Sequence, residues 1–237
     1  MSNAMKSIVF SVILCVVCSL LLTAANTGLK PFQQKNIEVD RQKNILKAFG
    51  IIAEGQAISN AEVTRLFESS VRSLWVDDSG RILKENERAP GDLPLYLYVK
   101  DDTVKAYVVP IDTRGLWGQI RGYLAIANDG TTIVGFTVFQ HQETPGLGGE
   151  IESRWFCKNF EGKKILDASG RFVSIHIAKG SAADAMPPEK RINYVDGISG
   201  ATMTGKFLSE GLKKILAAYE PVAIQFRQKH QPTIQAN

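Results

Sequence analysis

Apolar and polar positions divide the chain into an apolar head, a polar connecting stretch and a remainder patterned like a folded domain. From Ser7 to Ala25, nineteen residues run without a charge. At ~1.5 Å per residue, a helix of that length covers ~28 Å, close to the thickness of a bilayer core. Past Pro31, Phe32 to Phe49 reads as a polar connecting helix in which Ile37, Ile45 and Leu46 are too sparse for a deep core. Gly50 ends it, as glycine commonly does just beyond a helix. Ser59 and Glu62 have the spacing of a capping box, so a second, packing helix is expected to run to about Arg72.

The remainder alternates more like sheet. Asp77-Asp78-Ser79-Gly80 reads as a turn, and Asn86 to Pro94 as a polar loop. Tyr96–Lys100 and Val104–Val109 read as strands joined at Asp101-Asp102. Gly122–Asn128 and Thr132–Gln140 flank Asp129-Gly130, a strong hairpin signal. Ile151 to Phe160 reads as a helix with Trp155 and Phe156 inward. Lys163 to Asp167 leads to a turn at Ala168-Ser169-Gly170, followed by a strand from Phe172 to Ala178. A short apolar lead (Ile192, Tyr194, Val195) stops at Asp196-Gly197. Ser199-Gly200-Ala201 then opens a helix with Leu208, Leu212, Ile215 and Tyr219 at helical spacing. From Pro221 to Asn237 the tail is polar and expected to be loosely held. These elements predict an α+β fold, a largely antiparallel sheet with flanking helices, tethered by one N-terminal transmembrane helix.

Composition adds little. The 237 residues, 44% hydrophobic with net charge +4, allow one or two domains with an ordinary core. No basic patch is interleaved with aromatics, so nucleic-acid binding has no support. Met1-Ser2-Asn3-Ala4 before a second methionine reads as an expression scar. A cleaved signal peptide is the competing reading of the head, since Lys6 precedes it and Thr23-Ala24-Ala25 offers small residues; its length favours a retained anchor. Cys15 and Cys18 lie inside the segment and read as small apolar fillers. Leu14 and Val17 before them argue against lipid attachment, and the lone Cys157 excludes a disulfide framework. Lys6 on one side and Lys30 and Lys35 on the other leave the orientation open.

Candidate chemistry concentrates in Asp196-Gly-Ile-Ser199-Gly200-Ala201-Thr202-Met203-Thr204. A helix opens there, and the unpaired N–H groups of its first turn form a ready phosphate site. Two other readings compete. Gly200 to Lys206 fits the first seven positions of a P-loop, but Phe207 stands where a magnesium-binding Ser or Thr belongs. A Ser/Gly N-cap without a ligand is the plainer alternative. Two more stretches carry glycines around an apolar residue: Asp112-Thr-Arg-Gly115-Leu116-Trp117-Gly118, and His141-Gln-Glu143-Thr144-Pro145-Gly146-Leu147-Gly148-Gly149. Such glycines let backbone approach a flat ring, with Trp117 covering its edge. Read alone, the first is a turn with a packed Trp. His141 with Glu143 lacks a third metal ligand, and the carboxylates of Asp77 and Asp78 read as a solvated turn.

Asp-x-x-Ser-Gly-Ala-Thr resembles the flavinylation motif of the FMN-binding domain family, whose threonine is esterified to the FMN phosphate. Together, Thr-Arg-Gly-Leu-Trp-Gly, His-Gln-Glu-Thr-Pro-Gly-Leu-Gly and Ser-Gly-Ala-Thr-Met-Thr resemble the C subunits of sodium-translocating NADH:quinone oxidoreductases over nearly the whole chain. That resemblance implies FMN bound covalently at Thr202, with Ser199, Gly200 and Ala201 lining the phosphate. It implies flavin contacts from Leu116, Trp117, Gly118, Glu143, Thr144, Leu147 and Gly148, and a lysine near the cofactor at Lys179-Gly180. Gln142 departs from the glycine that often follows the family histidine, with little consequence expected.

The implied organisation is an expression scar over residues 1–4, a transmembrane helix over 7–25, connecting helices and a loop over 26–94, an FMN-binding domain over 95–220 and a polar tail over 221–237. The implied function is electron transfer within a sodium pump, at the bacterial inner membrane, single-pass, with the soluble domain extracytoplasmic. The implied partners are the other subunits, membrane lipid and a flavin transferase; no separate catalytic or metal site is expected, and no activity alone. The alternatives are the flavinylated G subunit of an Rnf-type complex and an anchored assembly module without a redox group.

Overall fold

The apolar head and the stretch after it form one helix, α1 (Asn3–Ala48). The structure, a computed structural model, describes residues 2–53 and 55–228. By internal contacts it divides into two units, residues 1–41 and 42–237. The separate helices expected on either side of Pro31 are therefore continuous. Proline removes one N–H from the ladder, and here Pro31 lies inside the helix without ending it. In the first unit α1 is long and apolar enough to cross a membrane: an 18-residue window reaches a mean hydropathy of 2.8, and none of that window is buried. A chain beginning at Thr27 is expected to stay in the aqueous fraction after high-speed centrifugation, whereas the full chain requires detergent. Recovery of the intact, uncleaved full chain in the aqueous fraction would contradict this.

The second unit begins with the last turns of α1. Gly50, at φ +72°, ends the helix: its N–H donates to Lys47 O (2.8 Å), and the Ile51 N–H reaches Leu46 O (3.0 Å). These are the paired bonds that satisfy the last carbonyls of a helix. Contrary to expectation, this end packs deeply, with Ile45 and Leu46 fully buried; Ile37 is exposed. A Cβ at Gly135 would collide with the Ala48 carbonyl, and the Phe49 ring lies 5.4 Å from that of Tyr98, which places the turn against the sheet. Helix α2 (Asn60–Ser70) starts where predicted, with Ser59 Oγ accepting the Glu62 N–H (3.3 Å). It stops two residues early because Val71 already belongs to a strand.

The sheet has six antiparallel strands in the order β2-β1-β3-β4-β5-β6. They are β1 (Val71–Val76), β2 (Ile82–Leu83), β3 (Leu93–Lys100), β4 (Thr103–Arg114), β5 (Gln119–Ala127) and β6 (Ile133–Gln140). Asp77-Asp78-Ser79-Gly80 is the expected turn, closed by Asp77 Oδ1, which accepts from Ser79 N–H (2.9 Å) and Arg81 N–H (3.0 Å). Asp101 and Asp102 both adopt positive φ, the hairpin conformation that short polar side chains tolerate. Register places Leu97 opposite Tyr107, and Tyr107 opposite Ile126, on one face. That face and the helices after β6 share the main core, which includes Ile120, Leu124, Phe136, Phe156, Leu208 and Leu212.

After β6 come a 3-10 turn (Gly148–Glu152), α3 (Arg154–Lys158), β7 (His176–Ile177), α4 (Ala182–Ala185), β8 (Tyr194–Val195), α5 (Thr202–Ala218) and α6 (Glu220–Arg227). Strands β7 and β8 pair in parallel, and β7 is much shorter than the strand expected from Phe172 to Ala178. Within α3, Phe156 is buried as predicted, but Trp155 points outward and is 48% exposed. Residues 221–227, expected in the tail, form α6, whose Val222, Ala223 and Phe226 are buried. The tail beyond residue 228 lies outside the described residues.

Helix α6 is held over the sheet by the Tyr107–Phe226 stack (4.5 Å) and by Arg227 Nε, which donates to Gly130 O (3.2 Å) beside β6. The Tyr107 hydroxyl beneath it is fully buried with no hydrogen-bond partner among the described residues, and burial pushes its pKa up. A buried donor without a partner costs about 1–3 kcal/mol. Tyr107→Phe is therefore expected to leave the melting temperature unchanged or higher. A fall of more than about 1 kcal/mol by thermal unfolding would show that the hydroxyl has a partner, such as an internal water.

Candidate functional site

Strand β8 runs into Asp196-Gly197, and the chain then turns sharply before α5. The Ala201 N–H donates to Ile198 O (3.1 Å) across that turn, with Gly200 at φ +76° in its third position. An L side chain rarely adopts that φ, so glycine suits the bend. The turn places Ser199 outside the helix. Ala201, buried, is the N-cap residue and makes no side-chain cap bond, so the serine-cap reading does not hold. The first intrahelical bond runs from Gly205 N–H to Ala201 O (3.1 Å), leaving the N–H groups before it without partners in the helix. Gly205 and Lys206 lie inside α5, and Lys206 faces Glu210 (4.0 Å). That is not the loop-before-helix arrangement of a P-loop.

A cleft of about 510 Å³ opens at this helix start. Its lining brings together Ser199, Gly200 and Thr202 from the turn with Lys179 and Gly180 from the segment after β7. The two segments are tied: Gly197 N–H donates to Gly180 O (2.7 Å), and Asp196 Oδ1 accepts the Ala182 N–H (2.7 Å). Trp155 also lines the cleft. Its outward position was not legible in the sequence, where it read as a core residue. Thr202 is exposed there, whereas Thr204, two residues on, is buried.

The two glycine-rich stretches form the loops β4–β5 and β6–α3. In the first, Gly115 N–H donates to Gly118 O (2.7 Å), a tight turn that leaves Leu116 and Trp117 exposed, Trp117 at 68%. In the second, the Thr144 carbonyl accepts from Leu147 N–H (3.1 Å) and Gly149 N–H (2.9 Å), leaving Leu147 exposed and Gly148 buried. A Cβ at Gly200 would lie 2.8 Å from Leu147 Cδ2, so this loop reaches the start of α5. Gln142 packs its side chain against Gly118. His141 Nδ1 accepts the Glu143 N–H (3.1 Å), and its Nε2 faces Glu152 (3.3 Å), so the ring braces the loop.

Glu143 differs from its neighbours. The residue is only 4% exposed, and its carboxylate accepts the Trp117 N–H at Oε1 (2.9 Å) and the Thr204 hydroxyl at Oε2 (2.5 Å). The side chain is thus engaged within the protein, between the two loops and α5.

The arrangement suits an anionic group with a flat ring attached. Lys179, Ser199 and Thr202 line the cleft at the helix start, while Leu116, Trp117 and Leu147 lie outside its lining and are exposed on the two loops, Leu147 next to Gly200. The FMN-binding domain family matches residues 115–217, a span that holds both loops and the helix start. The C subunit of the Na(+)-translocating NADH-quinone reductase of Yersinia pestis is 32% identical over 229 residues, 84% of this chain and 83% of that protein. Its counterpart in Haemophilus ducreyi is 32% identical, over 85% of each chain. The crystal structure of the same protein from Parabacteroides distasonis superposes with a TM-score of 0.70 at 28% identity, over 82% of this chain and 96% of that one. Shewanella oneidensis NqrC does so with a TM-score of 0.66 at 25% identity, over 80% and 97%.

Proposed function

Because the chain belongs to the family of C subunits of the Na(+)-translocating NADH-quinone reductase, FMN-holding electron-transfer members of a membrane complex of several proteins, we propose that its FMN is bound covalently, as a phosphoester on Thr202. The observation that carries this reading is the contrast between two threonines two residues apart. Thr202 is exposed in the cleft at the helix start, and Thr204 is buried with its hydroxyl engaged by Glu143.

In this reading Ser199, Gly200 and Ala201 border the phosphate, and Lys179, followed by Gly180, offsets its remaining charge. Leu116, Trp117 and Gly118 of one loop, with Thr144, Leu147 and Gly148 of the other, hold the ring. Glu143 supports them from beneath. FMN supplies the redox chemistry; the chain supplies position, apolar cover and electrostatics. The flavin domain covers 95–220, and α1 is the single-pass anchor among membrane lipid, with the domain on the extracytoplasmic side. A separate flavin transferase loads the chain, which is inactive without its partner proteins.

The test is the complex purified from membranes. The denatured band of this chain should fluoresce as flavin on a gel, and the co-purifying proteins should include the NADH-oxidising one of the same reductase. A dark band from an active complex would contradict covalent attachment, and a chain without flavin in any form would leave an assembly module.

A further inference from the structure

We infer that Glu143 is a positioning residue: its buried carboxylate straps the Leu116-Trp117-Gly118 loop to the first turn of α5 and so fixes the ring side of the site relative to the attachment side. The functional sense of this inference rests on the FMN reading, but the strap is a property of the chain itself. Each carboxylate oxygen has one donor, Trp117 N–H on Oε1 and the Thr204 hydroxyl on Oε2. Each is also approached by a glycine. A Cβ at Gly115 would fall 2.5 Å from Oε1, and one at Gly148 would fall 2.8 Å from Oε2 and 2.6 Å from Thr204 Oγ1. The carboxylate therefore sits in a slot that only backbone can flank, closed by a strand-end loop on one side and a helix on the other.

The chemistry explains why a carboxylate serves here. Both donors bond to a charged acceptor, and such bonds are shorter and about twice as strong as neutral ones. Glu143 bridges residues 26 positions earlier and 61 later. The segment bearing Glu143 is itself braced by His141. Trp117 contributes its backbone N–H to the strap while its ring stays exposed, so the strap sets where that ring stands. A cofactor tethered through its phosphate at Thr202 can still swing at the ring end. A strap anchored two residues further along the same helix removes that freedom, and small losses of alignment at a reacting centre are costly.

The test uses the full chain in detergent, prepared without flavin, and follows amide hydrogen exchange. In Glu143→Ala, exchange at residues 115–118 should rise about tenfold, the scale of one lost charge-assisted hydrogen bond, while β5 and the middle of α5 keep their protection. Glu143→Gln should restore most of it, because its oxygen still accepts from Trp117 and its amide can donate to the Thr204 oxygen. Thr204→Val, which removes only the helix-side donor, should give a smaller rise in the same segment. If Glu143→Ala does not fold, Thr204→Val alone decides. Unchanged exchange at 115–118 in the folded variants would overturn the strap. On flavin-loaded protein, Glu143→Ala should gain the same mass as the wild type but lose about half of its visible circular dichroism, with Glu143→Gln recovering it. Equal dichroism in all three would also overturn the proposal. Absence of flavin from the wild type would instead sink the FMN reading and leave the exchange result standing.

Discussion

Thr202→Val is expected to abolish covalent FMN, with no residual mass gain after denaturation, whereas Thr204→Val still carries one FMN per chain. Valine matches threonine in shape and lacks only the hydroxyl, so each variant asks which oxygen forms the ester. Thr202 is exposed and opens α5 in the cleft that Lys179 shares. As an exposed position it tolerates the exchange, and stability should change by less than about 0.5 kcal/mol. Thr204 is 2% exposed and donates to Glu143, which leaves its oxygen no path to an incoming phosphate. Thr204→Val costs stability, because one carboxylate oxygen loses its donor, but it leaves the attachment point intact. Intact mass on denatured protein reads both. Equal loss in the two variants would mean that the ester is misassigned, and full retention in Thr202→Val would mean that another hydroxyl, Ser199 first, carries the group.

The second large effect is on colour. Made in cells without a flavin transferase, the full chain is expected to fold normally and remain colourless. The core does not need a ligand: Ile120, Leu124, Phe156, Leu208 and Leu212 are fully buried by protein alone, and burial of each such side chain is worth about 1.5–3 kcal/mol. A threonine hydroxyl is a poor nucleophile without a base. Asp196 lines the same cleft, but its Oδ1 already accepts the Ala182 N–H. Supplying the transferase with FAD and magnesium should turn the protein yellow. The Thr202 Oγ1–phosphorus bond forms, the pyrophosphate bond of FAD breaks, AMP leaves, and the hydroxyl proton passes to a base of the transferase. The mass should rise by one FMN less one water. Yellow protein from FAD alone would remove the transferase from the account and make Asp196→Asn the next variant to test.

Much of this was legible where the chemistry is local. Asp129-Gly130 and Asp101-Asp102 dictate their turns through backbone preference alone, and the hairpins around them followed. Gly50 and Ser59 marked a helix end and a helix start for the same reason. What failed depends on partners distant in sequence. Strand β1 shows no clean alternation, being buried at Val71 and Val76 with exposed or half-buried positions between, and it follows a helix without a turn signal. Ile45 and Leu46 looked too sparse for a core because the sheet that buries them lies far along the chain. The stretch from Pro221 read as a polar tail, yet proline in the first turn is a favoured helix start, and α6 uses it so.

The site divides the same way. The turn glycines and Thr202 stand next to one another in sequence, so their cleft could be expected from the motif. The bond from Thr204 to Glu143 spans 61 residues and engages the buried carboxylate of a residue that read as a ring contact. No periodicity or spacing points to that pairing. A buried acid between two glycine-rich loops is a pattern that only the packed chain displays.

The most direct test of covalent attachment at Thr202 is peptide mapping of this chain from the native membrane complex. Trypsin should release the peptide from Ile192 to Lys206, which holds Ser199, Thr202 and Thr204. Fragment ions are predicted to place one FMN, less one water, on Thr202 and to leave Ser199 and Thr204 bare. An unmodified peptide from a complex that still oxidises NADH, or the mass on either neighbouring hydroxyl, would contradict it.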